Sequence, residues 1–447
     1  MKEGRKRTAA TDSSGKVFLM KTIGRGDTGA LTETVQLALY RAGFLSGPPD
    51  GFFGPRTEDA LLRFQNAFGL PPTGMADEAT REKLFRFVKG YFIKTVQPGD
   101  TFWGLAVRYG APVSSLLAAN PDLDPLTLQP GQKLTVPLGY QVTPDNVSYC
   151  AELVGLVIDG LRARYPFTEV SSIGRSVLGT EIPLLRAGEG KNALLISAGI
   201  HANEWLNIPV TLTFLEDWLQ AVITGREIAG EDAAALYRNT KVYFLPMLNP
   251  DGLDLVTGAL KGGAAFDRAV RIAQNYPAVP FPEGWKANVE GVDLNLQFPA
   301  GWEKARDIKF AQGFDSPAPR DYVGDAPLTA PEARALYEFT NAYPPKMILA
   351  YHSQGNIIYW KYQDYLPPQS FSVGEILSEA SGYPLEPTPE DSSYAGYKDW
   401  FIAQYNRPGY TVETGSGTNP LPVKQFDEIY RTNAPLIAAA MRECAEL

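Results

Sequence analysis

At 447 residues, with 41 basic and 50 acidic side chains and a formal charge of −9, the chain has the length of roughly three domains and lacks the basic surplus that nucleic acid requires. No apolar run approaches the about 20 residues of a membrane-spanning helix. Two cysteines, Cys150 and Cys444, allow one bridge at most and leave the redox compartment and their own pairing open.

Residues 1–20 are charged and small, with nothing to pack, and read as a disordered lead. The basic start is followed by polar residues instead of an apolar core, so no export signal is expected. From about 21 to 90, three groups of apolar residues recur at near-helical spacing: Leu31, Val35, Leu39 and Phe44, then Ala60, Leu61, Phe64 and Phe68, then Ala79, Leu84 and Phe87. They predict three short helices around one core. The turn residues Asp50-Gly51-Phe52-Phe53-Gly54-Pro55-Arg56-Thr57, with Phe64-Gln65 and Gly69-Leu70-Pro71-Pro72-Thr73-Gly74, make this module resemble the type 1 peptidoglycan-binding domains.

Residues 91–138 open with a strand pattern over 91–96, and Asp100 or Thr101 stands where a helix cap is needed before a helix running to Tyr109. A second helix over 113–119 and a returning strand over 128–134 complete a βααβ order. With the Gly99-Asp100-Thr101 and Pro130-Gly131-Gln132 turns it resembles a LysM domain, which implies binding to N-acetylglucosamine polymers, chiefly peptidoglycan and chitin.

From about 139 to 447 strands alternate with helices. Strands are expected over 168–173, 181–186, 193–197, 241–245, 346–351 and 409–413, and helices over 146–165, 207–222, 330–343, 374–382, 400–405 and 421–443. This predicts an α/β domain with a mixed sheet. Residues 261–290, rich in Gly, Ala and Pro, read as a long loop or lid.

The chain contains two histidines, His201 and His352, each just after a strand of the apolar kind. Ligands and chemistry gather at strand ends in such sheets. Glu204 follows His201 by three residues, and two histidines with one carboxylate are a catalytic zinc set that keeps a fourth position for water. His-x-x-Glu alone is better explained by a surface hydrogen bond or ion pair across one helical turn. Three more stretches point to chemistry: Asn249-Pro250-Asp251-Gly252, Gly291-Val292-Asp293-Leu294-Asn295 and Tyr410-Thr411-Val412-Glu413-Thr414-Gly415.

Together, and in this order, these motifs resemble those of the M14 zinc carboxypeptidases. The resemblance implies one Zn2+ per chain held by His201, Glu204 and His352, with Glu413 as general base and Asp293 as the aspartate that orients a histidine ligand. Tyr394 corresponds to a mobile substrate-contacting tyrosine, and Lys286 stands in the Trp285-Lys286 pair where the family has an arginine at the oxyanion. Asn295 and Leu296 occupy the substrate-binding pair, but the family's carboxylate-clamping arginine is replaced by Leu296, which removes the charge of that clamp.

The expected architecture is therefore an α/β, mixed-sheet zinc carboxypeptidase-like domain (139–447) preceded by a three-helix domain (21–90) and a βααβ LysM domain (91–138). Two wall-binding modules on such a domain resemble the γ-D-glutamyl-L-diamino acid endopeptidases of spore-forming bacteria, which implies peptidoglycan or muropeptides as partner. An ordinary metallocarboxypeptidase, an amidoacylase or a catalytically weak wall-binding adaptor are the alternatives. The expected location is cytoplasmic and sporulation-associated, with the cell wall or spore as the alternative.

Overall fold

A computed structural model describes residues 8–11, 17–20, 22–389 and 392–447. They divide into one unit that runs to Val142 and takes in 146–148 and 152–164, and another made of 143–145, 149–151 and 165–447. The expected disordered lead falls largely outside the described residues. Within it, β1 (Thr8–Thr11) and β2 (Val17–Met20) pair antiparallel.

In the first unit, two buried glutamines organise the leading helices α1 (Ala30–Arg41) and α2 (Pro55–Ala67). Gln36 donates to Asp50 Oδ1 (2.7 Å) and the Phe52 carbonyl (3.0 Å) while accepting from the Gly51 N–H (2.9 Å). Gln65 donates to Thr73 Oγ1 and the Met75 carbonyl and accepts from the Gly74 N–H. Each amide satisfies the polar backbone of a turn that would otherwise be buried without partners. α3 (Glu78–Leu84), capped by Asp77, completes the three-helix group, and the four-residue α4 (Arg86–Lys89) continues it.

Next, β3 (Tyr91–Thr95) pairs antiparallel with β4 (Lys133–Pro137) around α5 (Phe102–Tyr109) and α6 (Val113–Ala118). Thr101 caps α5 by accepting from the Gly104 N–H. The returning strand begins at Lys133, five residues after the expected start at 128. Pro130-Gly131 forms a turn in which Gln132 N donates to the Gln129 carbonyl, and turn chemistry there overrides strand propensity. α7 (Ala151–Arg164) follows, with residues 152–164 in this same unit, where Lys89 and Asp159 form an ion pair of 2.9 Å.

In the second unit, eight of the described strands form one mixed sheet in the order β13-β12-β14-β11-β7-β10-β6-β5. These are β5 (Glu169–Arg175), β6 (Glu181–Ala187), β7 (Asn192–Ser197), β10 (Thr240–Leu245), β11 (Met347–His352), β12 (Ile357–Lys361), β13 (Leu385–Pro387) and β14 (Gly409–Glu413), while β8 (Glu227–Ile228) and β9 (Glu231–Asp232) form a separate short ribbon. The centre, β10-β7-β11-β14, is parallel. Strands buried on both faces read as continuous apolar runs, and Met347-Ile348-Leu349-Ala350-Tyr351-His352 is buried at every position.

Helices cover both faces. On one side α8 (Asn207–Thr224), α9 (Ala233–Asn239) and α16 (Phe426–Glu446) gather along β7 and β10, and α14 (Ser370–Ser381) packs between α16 and the strands β12 and β13. On the other, α13 (Pro331–Ala342) and α15 (Tyr397–Tyr405) share a hydrophobic cluster with Leu195 and Ile348. The stretch expected as a loop over 261–290 contains α11 (Ala264–Gln274) after the short α10 (Pro250–Val256). The apolar residues Phe266, Ala269, Val270 and Ala273 of α11 do follow helical spacing, but Gly262-Gly263 before them and Pro277, Pro280 and Pro282 after them give the stretch the composition of a loop. β12, β13 and α12 (Trp302–Ala311) were likewise not anticipated. Cys150 and Cys444 are buried thiols and not halves of a disulfide. Among the described residues, no helix is long and apolar enough to cross a membrane.

Glu332, in the first turn of α13, is fully buried. It accepts from the Val177 N–H (3.1 Å) and from Asn288 Nδ2 (3.2 Å), tying the β5-β6 turn to the segment that leads into Asp293. Burial pushes its carboxyl from 4.5 up to about 7. The folded state therefore binds a proton more tightly than the unfolded one, so this contribution to stability is complete below about pH 4.5 and lost as pH rises through about 7, amounting to about 3 kcal/mol. Thermal unfolding followed from pH 5 to 8 should show stability falling, and Glu332→Gln should flatten that slope. An unchanged slope in the variant would exclude Glu332 as its source.

Candidate active site

Backbone geometry at the carboxyl ends of the parallel strands brings the site together. After β7 the chain turns at Gly199, whose φ of 64° lies in the left-handed region that glycine adopts at little cost. Asn249 braces this turn: its Nδ2 donates to the carbonyls of Ile200 (3.3 Å) and Ala287 (2.9 Å), while its Oδ1 accepts from the Gly252 N–H and caps α10. The Asn-Pro-Asp-Gly motif thus joins the His201 loop to the Lys286 loop, also linked by the Ala202 N–H to the Lys286 carbonyl (3.0 Å). On the next strands, His352 ends β11 directly beside Glu413 at the end of β14. Thr414 N donates to the His352 carbonyl (2.9 Å), and Thr414 Oγ1 to Asn207 Oδ1 at the start of α8 (2.7 Å).

His201, Glu204 and His352 are buried and converge. His201 Nδ1 lies 3.0 Å from Glu204 Oε1, His352 Nδ1 lies 3.0 Å from Glu204 Oε2, and the two Nδ1 atoms are 3.2 Å apart. Ligands at about 2.0–2.1 Å from a tetrahedral zinc are separated by roughly 3.3 Å, so this donor set fits the ion. His201 Nε2 meets Asp293 Oδ1 at 3.2 Å, which leaves Nδ1 for the metal. Asp293 is itself held by the N–H groups of Asn295 and Asp321, each at 3.1 Å.

The electrostatics follow from crowding charges in a dry place. Burial opposes the charge on His201, but Glu204 and Asp293 outweigh it and hold its pKa up at about 9. At His352 burial, joined by the charges of His201 and Lys286, outweighs Glu204 and pulls the pKa down. Glu204 is held well below the carboxylate range despite burial, because His201 and Lys286 face it. Metal uptake at His201 therefore displaces a proton. Glu413 goes the other way: burial first, and then the charge of Glu204, push it up to about 8, against the pull of Lys286 and His201. A carboxyl near neutrality can both take and return a proton.

A cavity of about 310 Å³ is lined by His201, Lys286, Asp293, Asn295, Leu296, His352, Tyr394 and Glu413, with Glu204 buried behind them. All nine residues singled out in the sequence are thus brought to one place. Lys286 points its ammonium at the ligand carboxylate, 3.0 Å from Glu204 Oε1. The Asn295 Oδ1 accepts from the Tyr397 N–H (3.0 Å), so half of that amide is committed to the protein. Leu296 and Tyr394 pack on a small apolar cluster of Trp302, Ala305, Val323 and Ala395.

Sequence reasoning missed Arg320, Asp321, Lys398 and Asp399, which also line the cavity. Arg320-Asp321 follows Pro317-Ala318-Pro319 in an irregular segment with no period to read. The Lys398-Asp399 pair, 2.7 Å apart and buried, stands just ahead of the helix expected over 400–405 and carries no spacing signal of its own.

The zinc carboxypeptidase family model matches residues 156–435, a peptidoglycan binding domain model matches 28–84, and the LysM domain model matches 95–137. Gamma-D-glutamyl-L-diamino acid endopeptidase 1 of Lysinibacillus sphaericus is 40% identical over 399 residues, 77% of this chain and 98% of the relative. A spore cortex-lytic enzyme of Bacillus cereus is 37% identical over 86 residues, 19% of this chain and 33% of that protein. The structure of bovine thrombin-activatable fibrinolysis inhibitor with tick carboxypeptidase inhibitor shares the fold at TM-score 0.52 and 19% identity, covering 67% of this chain and 98% of that one. The chain is a zinc metallopeptidase of the M14 zinc carboxypeptidase family, carrying a peptidoglycan binding domain and a LysM domain ahead of its catalytic one.

Proposed function

We propose that the chain hydrolyses the γ-D-glutamyl-diamino acid bond of peptidoglycan stem peptides. The observation that carries this is a complete zinc-peptidase constellation whose substrate cavity has neutral Leu296 in place of a clamping arginine, on a chain that also bears two wall-type modules. The name of the Lysinibacillus sphaericus relative supports the same bond. Trp103, 71% exposed in the first turn of α5, offers an aromatic face for a glycan strand.

Zinc, when bound, supplies Lewis acidity that lowers the pKa of water to about 7 and polarises the scissile carbonyl. The protein's part is positional. Asp293 fixes the ring of His201, and a Glu413 carboxylate oxygen takes the water proton and hands it to the leaving amine. Lys286 brings positive charge to the place where the carbonyl oxygen becomes negative, though part of that charge is spent on Glu204. Asn295 and Tyr394 face the substrate from the cavity wall.

We assign residues 21–90 and 91–138 to wall attachment and 139–447 to catalysis, and place the action at wall material of a cell or spore. The test is mass analysis of purified muropeptides after digestion by the zinc-loaded protein. Products ending in γ-D-glutamate, with release of a diamino acid fragment, are expected. Release of only carboxyl-terminal residues from ordinary peptides would sink the proposal in favour of a carboxypeptidase.

A further inference from the structure

The cavity over the metal set is joined on its other side by a second one of about 570 Å³, lined by parts of 278–284, 353–354 and 417–419, and the two share Lys286, Arg320 and Glu413. A carboxylate entering either cavity needs a cation with donors to spare, and most of those present are occupied. Lys286 Nζ lies on Glu204 at 3.0 Å, and Lys309 Nζ on Asp321 at 2.6 Å. Lys398 Nζ is spent on the Lys361 carbonyl (2.8 Å), Thr388 Oγ1 (2.9 Å) and Asp399 (2.7 Å).

Arg320 differs. Only its Nε is engaged, 2.6 Å from Asp321 Oδ2, its two Nη groups have no hydrogen-bond partner among the described residues, and its side chain is 44% exposed. Asp321, which aims the guanidinium, also donates its backbone N–H to Asp293, so the fork is referenced to the same frame as His201. In the second cavity the remaining charged side chain besides Lys286, Arg320 and Glu413 is the anionic Glu283.

A γ-glutamyl bond differs from an ordinary peptide bond in one charge. Its carbonyl is separated by two methylenes from an α-carbon that bears a free carboxylate, on the acyl side of the scissile bond. We propose that Arg320 binds this α-carboxylate in a two-pronged contact and so selects γ-linked substrates. The proposal rests on the γ-glutamyl reading above. A planar fork with both prongs free suits bidentate capture of a carboxylate, and the clamp lost at Leu296 is answered from another segment, on the other side of the reacting bond.

The test compares three peptides on the zinc-loaded full chain: L-alanyl-γ-D-glutamyl-diaminopimelate, the same peptide with the glutamyl α-carboxylate converted to a carboxamide, and the same peptide amidated instead on the diaminopimelate carboxylate next to the scissile bond. Wild-type protein should lose about 10- to 100-fold in kcat/KM on the α-carboxamide peptide. Arg320→Gln should abolish that preference while its rate on the α-carboxamide peptide, its zinc content and its Tm stay near wild type. Arg320→Lys should restore part of the preference. An Arg320→Gln protein that keeps the full preference overturns the proposal, and so does one that instead loses discrimination only against the third peptide, which would put the guanidinium on the leaving-group side. If wild-type protein cleaves none of the three, the γ-glutamyl reading falls by itself. Binding of the first two peptides to Glu413→Gln protein, with and without Arg320→Gln, then decides: equal affinities in both backgrounds overturn the role of Arg320.

Discussion

Glu413→Gln should lower kcat by about 10²- to 10⁴-fold, the range that a positioned general base supplies. The amide is nearly isosteric, and position 413 ends β14 beside His352, so the strand register and the metal set should survive. Zinc content should stay at one per chain. The pH profile carries the sharper signature. The base works only when ionised, and burial together with Glu204 holds its carboxyl up at about 8, so wild-type kcat/KM should rise with pH along an acid limb. A cation bound next to it favours the charged form and moves that limb below 8. The variant should lose this limb along with the rate. If glutamine at 413 leaves more than about a tenth of the activity, or the acid limb persists unchanged, the base is another group.

Removal of the metal should have an effect at least as large. His352→Ala takes away one of three ligands, and chelation takes away the ion; either should cost about a thousandfold or more in kcat/KM, because the Lewis acid supplies several kcal/mol of barrier lowering. Zinc content of the His352→Ala protein should fall well below one per chain, and added zinc should restore the chelated wild type but not the variant. A milder change grades the effect: Asp293→Asn, which weakens the acceptor 3.2 Å from His201 Nε2, should weaken zinc binding by about 10- to 100-fold. Full activity in metal-free protein would contradict the entire arrangement.

Glu204 links these two results. It accepts from the N–H of Ser353 (3.2 Å), lies 3.0 Å from Lys286 Nζ, and stands between both histidines. Its negative charge, with that of Asp293, keeps His201 basic and adds to the burial that pushes the Glu413 carboxyl up, so the ligand set and Glu413 are electrically coupled. The metal set and Glu413 therefore form one electrostatic unit.

The metal chemistry and the order of the parts were legible in the residue pattern. Two histidines in 447 residues, each after an apolar strand run, left few positions for a metal; Glu204 was readable from its spacing of three from His201, whereas Glu413 was implied by the resemblance of Tyr410-Thr411-Val412-Glu413-Thr414-Gly415 to the family's motif. Local capping and turn signals likewise placed a helix start at Asp100 or Thr101, of which the fold uses Thr101, and marked the glycine turns of the amino-terminal modules. Only the tertiary structure decided what depends on neighbours far apart in the chain. The order β7-β11-β14 brings Leu194 into register with Met347, about 150 positions on, and His352 with Glu413, about 60 positions on, and no local pattern encodes that pairing. α11 stayed hidden because the glycines and prolines that flank it outweighed the helical spacing of Phe266, Ala269, Val270 and Ala273. Arg320 stayed hidden because an arginine in a proline-rich segment looks like any solvated surface charge until Asp321 is seen to aim it beside Glu413.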